Sequence, residues 1–119
     1  GGSKIVDLIS RLGYRPALIL GAQCDQRKLR EYLVTHGYKI VNDFCFYDRG
    51  KYYDFIRAEE GVGATLNETE LEFGAFCREK NPHLKAKAEE LKNKLLGYKL
   101  TPRNEIRLKM TEDVLLWQS

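Results

Sequence analysis

An apolar run with no polar alternation, at residues 17–20, constrains the fold of this chain more than any other feature. A half-exposed strand alternates apolar and polar residues, so a run without alternation predicts a strand that is covered on both faces. A helical pattern follows, in which Asp25 can cap the start, Leu29 and Leu33 lie one turn apart, and Gly37 can end the helix. The two elements together predict a buried strand followed by a crossover helix.

Two aromatic and β-branched runs come next and flank Asp48-Arg49-Gly50, which predicts an antiparallel hairpin with a three-residue turn and a positive φ at Gly50. We interpret the parallel-type strand, the helix and the hairpin as the far half of a doubly wound α/β sheet. A buried strand needs two neighbours, and the hairpin supplies one of them. A predicted helix over residues 3–13 precedes the strand, so we expect an earlier strand ahead of it or a strand from another chain.

The composition excludes several classes of protein. At 119 residues with 43% hydrophobic residues the chain suits a compact fold with its own core, and no apolar run is long enough to span a bilayer. Three widely spaced cysteines predict reduced thiols in a cytoplasmic protein and no disulfide framework. The chain opens with Gly1-Gly2-Ser3 and no methionine, which is typical of a processed, truncated or recombinant start and leaves a cloning remnant open.

Polar residues at the carboxyl end of the predicted strand are candidates for ligand contact, because open α/β sheets bind ligands at that edge. Gln23 could hydrogen-bond a base or an amide there, and the alternative is a tight turn that only caps the helix. Cys24 is a poor candidate nucleophile because the neighbouring carboxylate of Asp25 raises the pKa of its thiol. No catalytic triad and no metal-binding set can be assembled around these residues.

The hairpin is rich in aromatic residues, and two interpretations of them are open. Interleaved with lysines and arginines they could stack bases, but we favour packing within the sheet because aromatic residues are ordinary strand formers. The residues are Tyr38, Phe44, Phe46, Tyr47, Tyr52, Tyr53 and Phe55.

A basic helical segment is predicted after the hairpin. Asn67 can cap a first helix, Asn81-Pro82 breaks it, and a second helix over 83–96 carries leucines at coiled-coil-like spacing before Gly97. Residues 80–109 contain nine lysines and arginines against three glutamates, a net charge of +6. Such a segment favours contact with a phosphate backbone, or with a second copy of the chain, and the alternative is a helix packed back on the sheet.

Several segments of the chain carry a family resemblance. They read Leu18-Ile19-Leu20, Leu29-Arg30-Glu31-Tyr32-Leu33, Gly37-Tyr38-Lys39-Ile40-Val41, Lys51-Tyr52-Tyr53-Asp54-Phe55-Ile56, Leu66, Glu70, Phe73-Gly74 and Glu79-Lys80-Asn81-Pro82. In these the chain resembles the second half of the bacterial tRNA (adenine(22)-N(1))-methyltransferase family, Rossmann-type enzymes that use S-adenosylmethionine. The opening Gly1-Gly2-Ser3-Lys4-Ile5 fits the end of that family's Gly-Met-Gly-Gly loop and the helix after it. The resemblance covers most of residues 1–96.

The resemblance implies a fold, a reaction and roles for named residues. It implies the carboxyl-terminal half of a Rossmann-like methyltransferase domain over residues 1–60 and a helical extension over 61–119. Gly1 and Gly2 would approach the cofactor, Gln23 would face the substrate, and the extension would bind tRNA through Lys85, Lys87, Lys92 and Lys94. Adenine N1 attacks through its own lone pair, so a general base is not required, and we name no catalytic residue.

Two departures from the family pattern limit what this chain is expected to do. Gly21-Ala22-Gln23 stands where the family has a Gln-Pro-Asn-like turn. The chain also lacks a glycine-rich loop after a first strand and the acidic residue that follows it about 20 positions later. We therefore expect that the chain alone binds S-adenosylmethionine poorly and transfers no methyl group. The alternative is a non-catalytic RNA-binding or protein-interaction module. Independently of the function, the open sheet edge or the helical extension could form a homodimer.

Overall fold

The structure is a computed structural model that describes the backbone of residues 18–22 and both backbone and side chains of residues 26–119. The helix expected over residues 3–13, the cofactor candidates Gly1 and Gly2, and the substrate candidate Gln23 lie outside the described residues.

Three strands form one sheet: β1 (Leu18–Ala22), β2 (Tyr38–Asp48) and β3 (Lys51–Glu60). Their order is β1-β3-β2, and β3 pairs antiparallel with both neighbours. Among the described strands, β3 therefore lies between β1 and β2, which run in the same direction without pairing with each other. This arrangement confirms the predicted antiparallel hairpin. Both described pairings are antiparallel, so the parallel pairing expected of β1 stays a prediction.

The hairpin turn is shorter than predicted. Asp48 pairs with Lys51, so only Arg49 and Gly50 form the turn, with φ values of 49° and 83°. Two successive positive φ angles are typical of a type I′ turn, whose twist matches that of the strands. The expectation of a three-residue turn is wrong because Arg49 adopts a conformation that its residue type does not signal.

A β-bulge in β2 changes which residues face the interior. The register shifts between Ile40 and Asn42, so two residues of β2 lie opposite one residue of β3. As a result Asp43 and Cys45, which follow the bulge along β2, are buried, and so are Tyr38 and Ile40, which precede it. The bulge therefore brings a carboxylate to the covered face of the sheet.

Helix α1 (Gln26–Thr35) packs on that face of the sheet. Leu29 and Leu33 are buried as the spacing predicts, and Gly37 after the helix has a φ of 82°. They form a first core with the two strands of the hairpin, composed of Leu29, Leu33, Tyr38, Ile40, Ile56 and Ala58.

Three helices follow the sheet: α2 (Glu68–Phe73), α3 (Pro82–Leu96) and α4 (Pro102–Gln118). Asn67 caps α2 in a capping box with Glu70, as the sequence indicates for the cap. Helices α3 and α4 pack on each other, and a second core joins them to β2: Cys45, Phe73, Cys77, Leu84, Ala88, Met110 and Val114. The start of α3 is thus packed back on the sheet, while Leu96, Tyr98 and Leu100 at its far end are exposed.

The aromatic residues of the hairpin divide between its two faces. Tyr38 is fully buried in the first core, which agrees with the packing interpretation. On the opposite face Phe44 stacks on Phe55 at 5.0 Å between ring centroids, and Phe46 stacks on Tyr53 at 5.4 Å. Phe44 remains 42% exposed, so this second face is only partly covered.

Candidate functional site

A buried arginine connects the sheet to the helices. Arg30 on α1 is fully buried, and it donates to Asp43 of β2 from Nε at 2.8 Å and from Nη2 at 3.0 Å. Its Nη2 also donates to Asp54 of β3 at 2.6 Å, and its Nη1 donates to the Leu71 carbonyl of α2 at 2.9 Å. One guanidinium therefore holds α1, both strands of the hairpin and the end of α2 together.

The surroundings of Arg30 favour its protonated, charged form. Burial alone would lower the pKa of Arg30. The hydrogen bond and charge of Asp43 and the charge of Asp54 raise this pKa by a larger amount, so the net shift is upward. The guanidinium is therefore protonated at neutral pH and serves to hold the surrounding elements together.

The glycine of the Phe73-Gly74 pair is explained by this cluster. Gly74 ends α2 with a φ of 124°, and a Cβ atom there would lie 3.3 Å from Oδ1 of Asp43. The next backbone N–H, that of Ala75, donates to Oδ2 of Asp43 at 2.8 Å. A glycine is needed both for the backbone conformation and for the close approach of the chain to the buried carboxylate.

A lysine of the extension reaches the same cluster from outside. Oδ1 of Asp54 is buried and accepts no hydrogen bond, and Nζ of Lys87 on α3 lies 3.7 Å from it. Asp54 pairs across the sheet with Ala22, the last residue of β1. Lys87 therefore lies at the carboxyl edge of β1, which is where α/β sheets of this type bind their ligands.

A cleft of about 290 Å³ opens at this edge between the sheet and the helical pair, and we call it the edge cleft. The starts of α1 and β3 form one side of it, and α3 and α4 form the other. Its charged residues have both signs, with three cations and two carboxylates. The lining residues are Gln26, Tyr52, Glu72, Phe73, Lys87, Glu90, Leu91, Lys94 and Arg107.

The four lysines predicted to bind substrate do not share one surface. Lys87 and Lys94, seven residues apart on α3, both line the edge cleft. Lys85 is exposed and Lys92 is half-buried, and neither lines this cleft. The seven-residue spacing could have separated the two pairs. Tyr52 is one of the hairpin aromatics and Arg107 belongs to the basic segment, but the sequence did not indicate that they lie beside these lysines.

Neither described cysteine suits a nucleophilic role. Burial raises the pKa of the Cys77 thiol to about 11, and burial together with the charge of Asp54 raises that of Cys45 to about 11. Both thiols are therefore protonated at neutral pH and unreactive.

Neither a metal-binding cluster nor a membrane-spanning helix occurs in the described part of the chain. Among residues 26–119 there is no group of three or more histidine, cysteine or acidic side chains that could hold a metal ion. In the same residues, no helix combines the length and the apolar character that crossing a bilayer requires.

Comparison with known proteins gives the chain's relatives. The family described as tRNA (adenine(22)-N(1))-methyltransferase matches residues 1–112. No protein with a curated description matches. A Streptococcus pneumoniae candidate tRNA (m1A22) methyltransferase, solved with S-adenosyl-L-methionine, is similar at 25% identity and a TM-score of 0.82, over 97% of this chain and 56% of that one.

Two more solved structures share the fold. TrmK of M. capricolum, solved with S-adenosyl-homocysteine, has 20% identity and a TM-score of 0.80, over 100% of this chain and 57% of that one. A Streptococcus agalactiae protein of the NADB-Rossmann superfamily has 22% identity and a TM-score of 0.71, over 98% of this chain and 52% of that one. The chain thus spans little more than half the length of these relatives. On the match over residues 1–112, the chain belongs to the tRNA (adenine(22)-N(1))-methyltransferase family.

Proposed function

We propose that this chain is part of an enzyme that transfers a methyl group from S-adenosylmethionine to N1 of adenine 22 in tRNA, and that the chain alone is inactive. The observation that carries the proposal is the family match over residues 1–112. The similarity to a structure solved with S-adenosyl-L-methionine supports the choice of cofactor.

The two glycines after β3 do not form a cofactor-binding loop. Gly61 and Gly63 follow β3, but α2 begins only at Glu68, so they do not open a helix toward a ligand. A Cβ atom at Gly63 would lie 3.3 Å from Cα of Lys39, so this glycine serves close packing of the backbone on β2. The contact of Gly1 and Gly2 with the cofactor is part of the proposal.

The edge cleft is the surface that we assign to tRNA. Methylation of N1 requires an adenine turned out of its stack, and the carboxyl edge of the sheet is where such a base would meet the cofactor. Lys87 and Lys94 would bind phosphates beside that base and release counterions. Lys85 and Lys92 would contact tRNA from the flank of α3, and Gln23 from the strand-to-helix turn.

The test is methyl transfer by a chimaera in which this chain replaces the part of the S. pneumoniae protein that it matches. We expect labelled methyl groups to pass from S-adenosylmethionine to a tRNA transcript with the chimaera and not with the 119-residue chain alone. Transfer by the chain alone would refute the proposed inactivity. A folded chimaera that binds both tRNA and S-adenosylmethionine without transfer would favour a non-catalytic RNA-binding module.

Two lysines of α3 provide a matched pair of variants for the role of the cleft. Lys94 lines the edge cleft, and Lys85, nine residues earlier, lies about 180° away around the helix. In the chimaera we expect Lys94→Gln to raise the KM for tRNA by about fivefold, the effect of one lost phosphate contact, and Lys85→Gln to raise it less. Equal effects of the two substitutions would contradict the assignment of tRNA to this cleft.

We further propose a cytoplasmic location, which the free thiols of Cys45 and Cys77 support. A homodimer through the sheet edge or the helical extension remains a prediction, and analytical ultracentrifugation would distinguish it from a monomer.

A further inference from the structure

A second groove, of about 510 Å³, lies between α1, α2 and α4. It shares Glu72 and Arg107 with the edge cleft, so the two form one continuous surface. We call it the arginine groove because three arginines from two separate helices line it. The residues that matter here are Arg27, Glu68, Glu72, Arg103, Ile106 and Arg107.

One carboxylate lies between two of these arginines. Oε2 of Glu72 is 3.8 Å from Nη1 of Arg27, and Oε1 of Glu72 is 3.9 Å from Nε of Arg107. Both distances exceed hydrogen-bond length, so the pairs are ionic contacts in which the guanidinium donors are not fully used. The Glu72 side chain is 24% exposed, and an anion from solvent can therefore reach the same donors.

The other charges of the groove are also accessible. Arg27 pairs closely with Glu68, but the two side chains are 39% and 67% exposed, and an ion pair in water contributes little. Among residues 26–119, Arg103 forms no ion pair. The groove thus has three cations, of which one is unpaired and two share a loosely held carboxylate.

We propose that the arginine groove binds a backbone phosphate of RNA, and that Glu72 occupies the place of that phosphate in the free protein. The inference rests on the proposed function for the identity of the ligand. A phosphate offers acceptor oxygens to two guanidinium groups at once, in a fork geometry that suits arginine better than lysine. The exposed side chain of Ile106 beside the arginines would contact the adjoining ribose or base.

In this proposal Glu72 weakens the binding of phosphate and thereby affects which RNA can bind. Its carboxylate must be displaced before a phosphate can bind, so it weakens the binding of any polyanion. An RNA that also fills the edge cleft can offset this cost, whereas an RNA that touches only the groove cannot. Glu72 is therefore a specificity-determining residue, acting through repulsion of the wrong ligands.

The test is equilibrium binding of the 119-residue chain to an unmodified tRNA transcript over a range of salt concentrations. We expect Glu72→Gln to tighten binding by about threefold to fivefold, the size expected for a partly exposed ion pair. The matched control is Glu89→Gln, an exposed glutamate on α3 outside the groove, which should change affinity by less than about twofold. A gain in affinity cannot result from a folding defect.

A second pair of variants measures the phosphate contact itself. Arg107→Gln should weaken binding and reduce the slope of log affinity against log salt by about one. Lys109→Gln, two residues later and about 200° around α4, should leave that slope unchanged. The inference is overturned if Glu72→Gln and Glu89→Gln change the affinity for tRNA by the same factor. It is also overturned if Arg107→Gln and Lys109→Gln have the same slope of log affinity against log salt. A wild-type chain that does not bind tRNA even at low salt would refute the proposed role in RNA binding instead.

Discussion

The Arg30 guanidinium contacts three other elements from a fully buried position, so its removal would leave Asp43 and Asp54 buried without their main partner. We predict that Arg30→Met lowers the free energy of unfolding by about 3–5 kcal/mol, the usual cost of breaking a buried ion pair on one side. Lys28→Met, an exposed change on the same helix, should cost no more than about 0.5 kcal/mol. Urea unfolding followed by circular dichroism measures both.

A triple variant separates charge from packing at this site. Arg30→Met combined with Asp43→Asn and Asp54→Asn removes the uncompensated carboxylates and should recover more than half of the lost stability. If Arg30→Met unfolds at the same urea concentration as Lys28→Met, the cluster does not hold the elements together.

The sequence predicts the burial of Leu29 and Leu33 from their spacing, but it does not predict the burial of Arg30. An arginine beside an apolar stripe is ordinarily exposed. Its burial depends on Asp43, which faces inward because a bulge shifts the alternation of β2. This ion pair depends on tertiary contacts, which neither helical nor strand periodicity predicts.

At the scale of elements, Asn81 fixes the helical pair to the sheet. Its Oδ1 accepts from the His83 N–H at 2.9 Å and caps α3, while its Nδ2 donates to the Cys45 carbonyl of β2 at 2.9 Å. Oε1 of Gln118, at the end of α4, accepts from the Asn81 backbone N–H at 2.7 Å. The start of α3 and the end of α4 are therefore held at one point of the hairpin.

We predict that Asn81→Ala lowers the free energy of unfolding by about 1–3 kcal/mol, because it removes a helix cap and leaves the Cys45 carbonyl unpaired. Asn93→Ala, an exposed change within the same helix, is the matched control and should be near neutral. Asn81→Asp keeps the cap and loses the amide donor. In thermal unfolding its midpoint temperature should therefore lie between those of wild type and Asn81→Ala. An Asn81→Asp chain as stable as wild type would contradict the bond to β2.

The elements themselves could mostly be predicted. Asn81-Pro82 and Gly97 gave the bounds of α3, and the aromatic runs gave the hairpin. The position of β3 between β1 and β2 could not be read from periodicity, because strand order depends on contacts between distant segments. The two-residue turn was missed because Arg49 adopts a positive φ.

At the scale of the whole molecule, the sheet and the helical pair meet at the carboxyl edge and enclose the edge cleft. The basic charge of the extension could be predicted from composition, and so could two of the lysines in the cleft. The position of Tyr52 and Arg107 in the cleft could not, since they come from a strand and a second helix that only the packing of the second core brings together.

The central claim is that the edge cleft is the surface that faces tRNA, and two adjacent tyrosines test it directly. Tyr52 lines the cleft, while Tyr53 stacks on Phe46 on the opposite face of the sheet. The measurement is ultraviolet cross-linking of a tRNA transcript to the chain, with the modified residue located by peptide mass spectrometry. We predict cross-links at Tyr52 and none at Tyr53. Cross-links confined to Tyr53, Phe44 and their stacked neighbours would contradict the account and place RNA on the other face of the hairpin.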